Sequence, residues 1–425
     1  MTAPIQSKLK RAINIFMLMA AGEGTFLLPF VLARVFRPTV LDVFGVTNLQ
    51  LGKAYSIYGM VALVSYILGG PLADRFPARR LMTLALAATA CGGLLFARIP
   101  PPGLLNWLYA FWGVTTTLLF WAALIRATRE WGGSLSQGRA FGLLEGGRGL
   151  LSAMIASVSV VVFARLLPAN GLSATLAQRS AALLTVVWAF IGITLGVAVL
   201  VWIFVPEPKL EDSPGNTRKL TLEVLWMAMR MPPVWLQATI LVCAYVSFRS
   251  IDLFGLYARD VLGYKDVAAA NIGLVAFWVR PFAAMGAGLL ADRIKASRVI
   301  AICFGIVIVG SLTIASGAVR PGMHWLLVAA VAATSFGIYA ARGVYFALIQ
   351  EAQIPLAITG SVVGLVCLVG FTPDIFVPSI IGHVLDGAPG VVGHQRVFAM
   401  LAGASALGLV CTLLFQRSTR KRLPE

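Results

Sequence analysis

Charge is scarce in this sequence. Charged residues make up 12% of its 425 residues, against about 25% in a soluble chain. Hydrophobic residues reach 59% and mean hydropathy is +0.87, which excludes a soluble globular domain. Acid is scarcer still, with 17 Asp and Glu against 34 Lys and Arg. The resulting excess of +17 is no nucleic-acid footprint, because the basic residues collect in short segments between apolar runs. No nucleic-acid partner is expected. The three histidines, His324, His383 and His394, fall near run ends or loops, too shallow for a buried proton relay. Cys91, Cys243, Cys303, Cys367 and Cys411 are spread over separate apolar runs, so neither disulfides nor a metal cluster is expected. A Walker phosphate loop, H-E-x-x-H and G-x-S-x-G are all absent, which argues against ATP-driven and hydrolytic chemistry. No cofactor is expected.

What is present is a series of long apolar stretches. Twelve membrane-spanning helices are predicted at about 12–35, 47–70, 79–98, 104–127, 139–166, 181–205, 234–258, 266–290, 297–318, 324–347, 356–382 and 395–416, each near the ~20 residues that cross a bilayer. The first opens at Ala12 and is too long for a cleaved leader. The fold class expected is an all-α polytopic membrane protein of two six-helix, pseudo-symmetric bundles, residues 1–205 and 234–425, joined by a linker over 206–233. Within the linker, Leu220 to Arg230 is apolar-rich and is expected to lie flat on the membrane before Pro232–Pro233. Most basic residues fall on the side of the two termini, which places both termini in the cytoplasm of an inner (plasma) membrane protein.

The halves are marked by a repeat. GGPLADRFPARRL, from Gly69 to Leu81, returns as GAGLLADRIKASR, from Gly286 to Arg298. Gly70 aligns with Gly288, Asp74 with Asp292 and Arg75 with Arg293, each 218 residues apart. A period near half the chain means two equivalent units. Glycine permits a tight approach and turn, aspartate can cap the next helix, and the arginines, Arg79 among them, suit cytoplasmic headgroups.

These two stretches resemble the signature of the loop between the second and third helices of the major facilitator superfamily and its weaker copy between the eighth and ninth. Pro77 stands where the family usually has glycine. The resemblance covers the whole chain. It implies alternating access, with Gly70, Asp74, Arg75, Arg79, Gly288, Asp292 and Arg293 as a gating motif. It also implies that the fifth and eighth helices meet across the halves. There Gly142 and Gly146 form a G-x-x-x-G face, and Ala283, Ala284, Gly286, Ala287 and Gly288 line the other side. They form either a cytoplasmic seal that opens and closes or a static contact.

Seven ionisable residues fall inside predicted spans: Glu23, Glu145, Arg148, Arg249, Asp252, Arg280 and Asp374. Each is expensive in hydrocarbon and needs a partner or water. Three arginines and four acids sum to −1. At 1.5 Å per residue, Glu23, Arg280 and Arg148 lie roughly 17, 15 and 13 Å from their cytoplasmic ends, near the midplane where transporters bind substrate. Glu145 and Arg148 are spaced to pair, as are Arg249 and Asp252. Arg280 precedes Pro281, which weakens the helix backbone, and a guanidinium grips a carboxylate with two bonds. Two roles are open to it, substrate binding and pairing with Glu145. Arg280, Arg148 and Arg249 are the substrate-binding candidates. Glu23 stands between two glycines with no basic residue within a turn; with Asp374 and Glu145 it is a proton-coupling candidate. Arg126 and Arg342, near span ends, are expected to snorkel to the rim. Trp112, Trp121, Tyr58, Trp278 and Tyr339 line a cavity or anchor the interface.

An arginine on the eighth helix resembles the monocarboxylate porters of the superfamily. The reading is a monomeric secondary transporter of a small organic anion, most simply a carboxylate, moved with protons through the lipid bilayer. Its alternatives are proton-coupled efflux of a drug or metabolite, and a non-transporting receptor on the same fold.

Overall fold

The computed structural model describes residues 3–132, 137–168, 174–207, 229–354 and 356–420. Eleven helices among the described residues are long and apolar enough to cross a membrane. A bent pair, Lys8–Gly24 with Leu27–Val35, turned by 43°, makes twelve spans. We number them α1 (Ala3–Gly24 and Leu27–Val35), α2 (Asn48–Arg75), α3 (Ala78–Phe96), α4 (Pro102–Gly132), α5 (Gln137–Leu166) and α6 (Leu176–Phe204). The second six are α7 (Pro232–Asp260), α8 (Asp266–Ile294), α9 (Ala296–Ala315), α10 (His324–Glu351), α11 (Leu356–Gly370 and Pro373–Gly387) and α12 (Val391–Arg420). Helices satisfy their backbone internally, the one requirement a lipid core imposes on a spanning segment. Two spans open on a reciprocal cap: Thr47 with Gln50 starts α2 and Thr175 with Gln178 starts α6.

Several spans are irregular, and most of the breaks stand beside buried charge. α1 bends after Glu23 and continues through a π-helical turn, Leu27–Val31, that contains Pro29. A residue without an N–H fits such a widened turn. In α4 the turn Val114–Trp121 is also π-helical, and the Thr116 hydroxyl donates back to the Trp112 carbonyl at 2.6 Å. α7 tightens to a 3₁₀ turn at Arg249–Leu253. α11 breaks between Gly370 and Pro373, one residue before Asp374. By contrast α8 runs unbroken through Pro281, so proline there does not free the chain as its sequence implies.

α1–α6 and α7–α12 form the two six-helix bundles. They meet where α2 lies along the Pro373–Gly387 part of α11, where α5 crosses α8, and where the end of α1 touches the 3₁₀ turn of α7. The α2–α11 contact is the tightest. A Cβ on Gly52 would stand 2.3 Å from the Pro378 carbonyl, one on Gly59 2.4 Å from that of Asp374, and one on Gly382 2.4 Å from that of Asn48. Only glycine permits this approach. The segment Leu220–Arg230, expected to lie on the membrane, falls almost entirely outside the described residues.

The loop motifs sit at one end of the molecule, here the motif end. At the far end the halves are bound together. Asp42, on the short helix Arg37–Phe44, receives Arg259 at 2.8 Å and Arg179 at 2.6 Å. Asp386 accepts the backbone N–H groups of Asn48 and Leu49 at 3.1 and 2.8 Å, an anion on the N-terminus of α2. Ser56 and Ser379 share a hydrogen bond of 2.7 Å.

Candidate functional site

The charges inside the spans resolve into two clusters. The first joins α1, α5 and α8. Arg148 donates to Glu145 at 2.6 Å, one turn away on α5 as the i,i+3 spacing predicts. Glu23 lies between two guanidiniums, 3.9 Å from Arg148 Nε and 3.5 Å from Arg280 Nη1. Arg280 Nη2 is 3.8 Å from Glu145. Two arginines and two carboxylates thus alternate in a ring. Its geometry corrects one expectation: Glu23 is not isolated, because charges from two other helices supply what its own helix lacks. It is 2% exposed, and its Oε2 has no hydrogen-bond partner. Gly22 makes this possible, since a Cβ there would be 2.7 Å from Arg148 Cδ. Arg148 also stacks near Trp121 and Phe26, 5.4 and 5.7 Å from their ring centres.

The second cluster joins α1, α7 and α11. Arg249 and Asp252 do not pair with each other, because each is taken by a charge from another helix. Arg249 grips Asp374 at 2.6 Å, and Asp252 takes Arg34 of α1 at 2.5 Å. Arg34 is only 8% exposed, although it falls at the end of the span expected over 12–35 and is not among the seven candidate charges. Its 218-residue offset from Asp252 was the available signal, since that is the period of the loop motifs.

Arg342 is the second functional candidate missed. It does not snorkel to the rim; its guanidinium lies 3.8 Å over the Phe248 ring and 4.8 Å over that of Tyr245. Arg126, in contrast, stays at the motif end, donating to the Ala73 carbonyl at 2.6 Å and to Glu130 at 2.9 Å. With Arg34 and Arg342 added, the spans hold five arginines against four carboxylates, one positive charge in excess rather than −1, and Arg37, just past the end of α1, is a further buried arginine.

Few of the five expected aromatics line the charges. Trp121 stands by Arg148 and Tyr339 by Phe248, ring centres 6.2 Å apart. Tyr58 is tied to Thr116 at 2.8 Å and Trp112 is core, donating to the Thr89 carbonyl at 3.1 Å. Trp278 opens onto an outer apolar groove with Leu274, Phe282 and Phe336.

At the motif end, Asp74, Arg75, Asp292 and Arg293 are exposed. Asp74 and Asp292 close their own helices instead of capping the next. The residues preceding α3 and α9 are Pro77 and Lys295, without a side-chain cap bond. The α9 N-terminus takes its acid from α10, where Glu351 accepts the Ser297 N–H at 3.0 Å and its hydroxyl at 2.5 Å. Arg79 pairs with Glu207 and stacks 4.8 Å over Trp202. A Cβ on Gly70, Gly142, Gly286 or Gly288 would meet nothing within 4 Å. Of the small-residue faces expected to seal α5 against α8, Gly142, Gly286 and Gly288 are therefore unpacked here, whereas Gly146 meets α8, where a Cβ would be 3.6 Å from Met285 Sδ. Nearer the midplane Gly149 does approach α8, 3.4 Å from the Pro281 nitrogen.

Twelve spans in two bundles, with charge buried where the bundles meet, define a membrane transporter rather than an enzyme. The chain belongs to the Major Facilitator Superfamily, whose sequence profile it matches over residues 15–378. It is 26% identical over 417 residues to the inner membrane protein YqcE of Escherichia coli (strain K12), covering 96% of this chain and 95% of that protein. Among solved structures it resembles a variant of the nucleoside transporter NupG, with a TM-score of 0.72 at 14% identity, over 96% of this chain and 99% of that one. A bacterial homologue of the human lysosomal transporter Spinster, solved inward-facing and unoccupied, gives the same score and identity over 98% of this chain and 99% of that one.

Proposed function

We propose that this chain is a secondary transporter that carries a small organic anion, a carboxylate in the simplest case, together with protons across the inner membrane. The observation that carries the reading is the unequal commitment of the arginines inside the spans. Arg34, Arg148 and Arg249 each hold a carboxylate at 2.5–2.6 Å, while the carboxylates nearest Arg280 stand off at 3.5 and 3.8 Å. A guanidinium without a close partner is free to take an incoming anion in a two-bond fork. Arg148 and Arg249 position their neighbours. The positive excess of the interior favours an anion over a cation.

Glu23 is the proton carrier in this reading. Its buried Oε2 has charge nearby but no hydrogen bond. An anion that draws Arg280 away takes a positive charge from beside Glu23, and a proton carried by Glu23 replaces it. Binding of the two is thereby coupled. The dense contacts at the far end and the unpacked glycines at the motif end support a state open toward the motif end, which faces the cytoplasm if both termini lie there. Alternating access then requires the motif residues to close as the α2–α11 contact opens.

Purified protein in proteoliposomes, given an inward-directed proton gradient, accumulates a labelled organic anion on this reading. The absence of gradient-driven accumulation for every anion in a broad panel, with exchange of a lipophilic cation instead, contradicts it.

A further inference from the structure

Arg342, expected at the rim, lies inside the molecule without an acidic partner at close range. Its Nη1 is buried with no hydrogen-bond partner, and its nearest neighbours are the rings of Phe248 and Tyr245 rather than an acid. The ring faces hold the guanidinium flat without neutralising it. Arg34 and Arg249 share the same Phe248 ring, at 5.2 and 6.0 Å, but each has its own aspartate. The turn of α10 that carries Arg342 also packs against α8 close to Arg280. The adjacent Gly343 approaches α8 so closely that a Cβ would be 3.1 Å from the Ala284 carbonyl. Ala284 is one turn, about 6 Å, beyond Arg280 along that helix.

We propose that Arg280 and Arg342 form a two-point anion site and that the transported substrate is a short organic dianion with two carboxylates. This rests on the substrate reading of Arg280 above. The charges agree with it. The ring of Glu23, Glu145, Arg148 and Arg280 is neutral when all four are ionised, and Arg342 adds one positive charge. A proton on Glu23 adds a second, so a dianion entering with one proton leaves the site neutral, as a low-dielectric interior favours.

The test is binding to the full chain in detergent, by calorimetry, with succinate and glutarate as dianions, acetate and lactate as monoanions, and glycerol 3-phosphate to separate a phosphate head from paired carboxylates. The wild type is expected to prefer the dicarboxylates. Arg342→Gln is expected to reduce the dicarboxylate-over-monocarboxylate preference by about 10–100-fold, whereas Arg280→Gln abolishes binding of both classes. Arg342→Lys keeps the charge over the Phe248 ring should the glutamine variant misfold, and is expected to recover only part of the preference. An unchanged preference in Arg342→Gln, with binding still lost in Arg280→Gln, overturns the two-point site and leaves the anion reading standing. So does recovery of the preference in Arg342→Gln/Glu145→Gln, which makes Glu145 the partner of Arg342. A preference for glycerol 3-phosphate over both dicarboxylates overturns the substrate class. Binding of no probe to the wild type overturns both readings together.

Discussion

Arg34 and Asp252 occupy equivalent positions in the two halves and bind each other. They are 218 residues apart, the offset that separates Asp74 from Asp292, and Arg34 Nε meets Asp252 Oδ1 at 2.5 Å. Residues related by a pseudo-two-fold axis touch only near that axis, so this ion pair marks it. Both side chains are buried, at 8% and 3% exposure.

Breaking a buried pair by removing one partner costs about 3–5 kcal/mol, because the other charge is left stranded. Arg34→Gln and Asp252→Asn are each expected to lower the melting temperature and reduce transport. The charge-swapped variant Arg34→Asp/Asp252→Arg is expected to recover much of both. Equal loss in the swap would show that each side chain has some other essential partner.

The α2–α11 contact offers a lock. The Ser56 and Ser379 hydroxyls are 2.7 Å apart, close enough for a disulfide between cysteines placed there. Ser56→Cys/Ser379→Cys is expected to lose transport on oxidation and regain it on reduction, while each single variant is insensitive. Full transport by the oxidised double variant would mean that this contact does not open during the cycle.

Asp74 and Asp292 are exposed, with the glycines around them unpacked. If they act when the motif end closes, Asp74→Asn slows transport several-fold while substrate affinity stays within a few-fold. Tracer uptake and equilibrium binding on one preparation separate the two. Loss of binding by folded protein would move Asp74 from the gate to the site.

Glu23→Gln keeps the shape of a side chain held at 2% exposure and removes its proton. Counterflow exchange of substrate is expected to persist, with proton-driven accumulation abolished. Accumulation that still follows the imposed gradient would assign coupling to Asp374 or Glu145.

Length and apolar runs made the spans legible, since a lipid core admits few alternatives to a helix about 20 residues long. The repeat at Gly70 and Gly288 made the two halves legible. Pairing across helices was not. Glu23 looked solitary because Arg148 and Arg280 come from other chain segments, and Arg249 looked paired with Asp252 because their competing partners, Asp374 and Arg34, also come from other segments. Arg342 resembled a rim arginine by its position in α10; only the inward path of its side chain to Phe248 shows otherwise. The tight glycines, Gly52, Gly59 and Gly382, carried no G-x-x-x-G spacing, because they face a partner helix from the other half.

The central claim is that Arg280 holds the substrate anion, and substrate affinity in three variants tests it most directly. Arg280→Lys keeps the charge but loses the planar fork, which is expected to cost about 2–4 kcal/mol, or roughly 30–1,000-fold in affinity. Arg280→Gln is expected to bind no better, and Glu145→Gln should not rescue it. Near-normal affinity in Arg280→Gln/Glu145→Gln would reduce Arg280 to a partner of Glu145 and contradict the account.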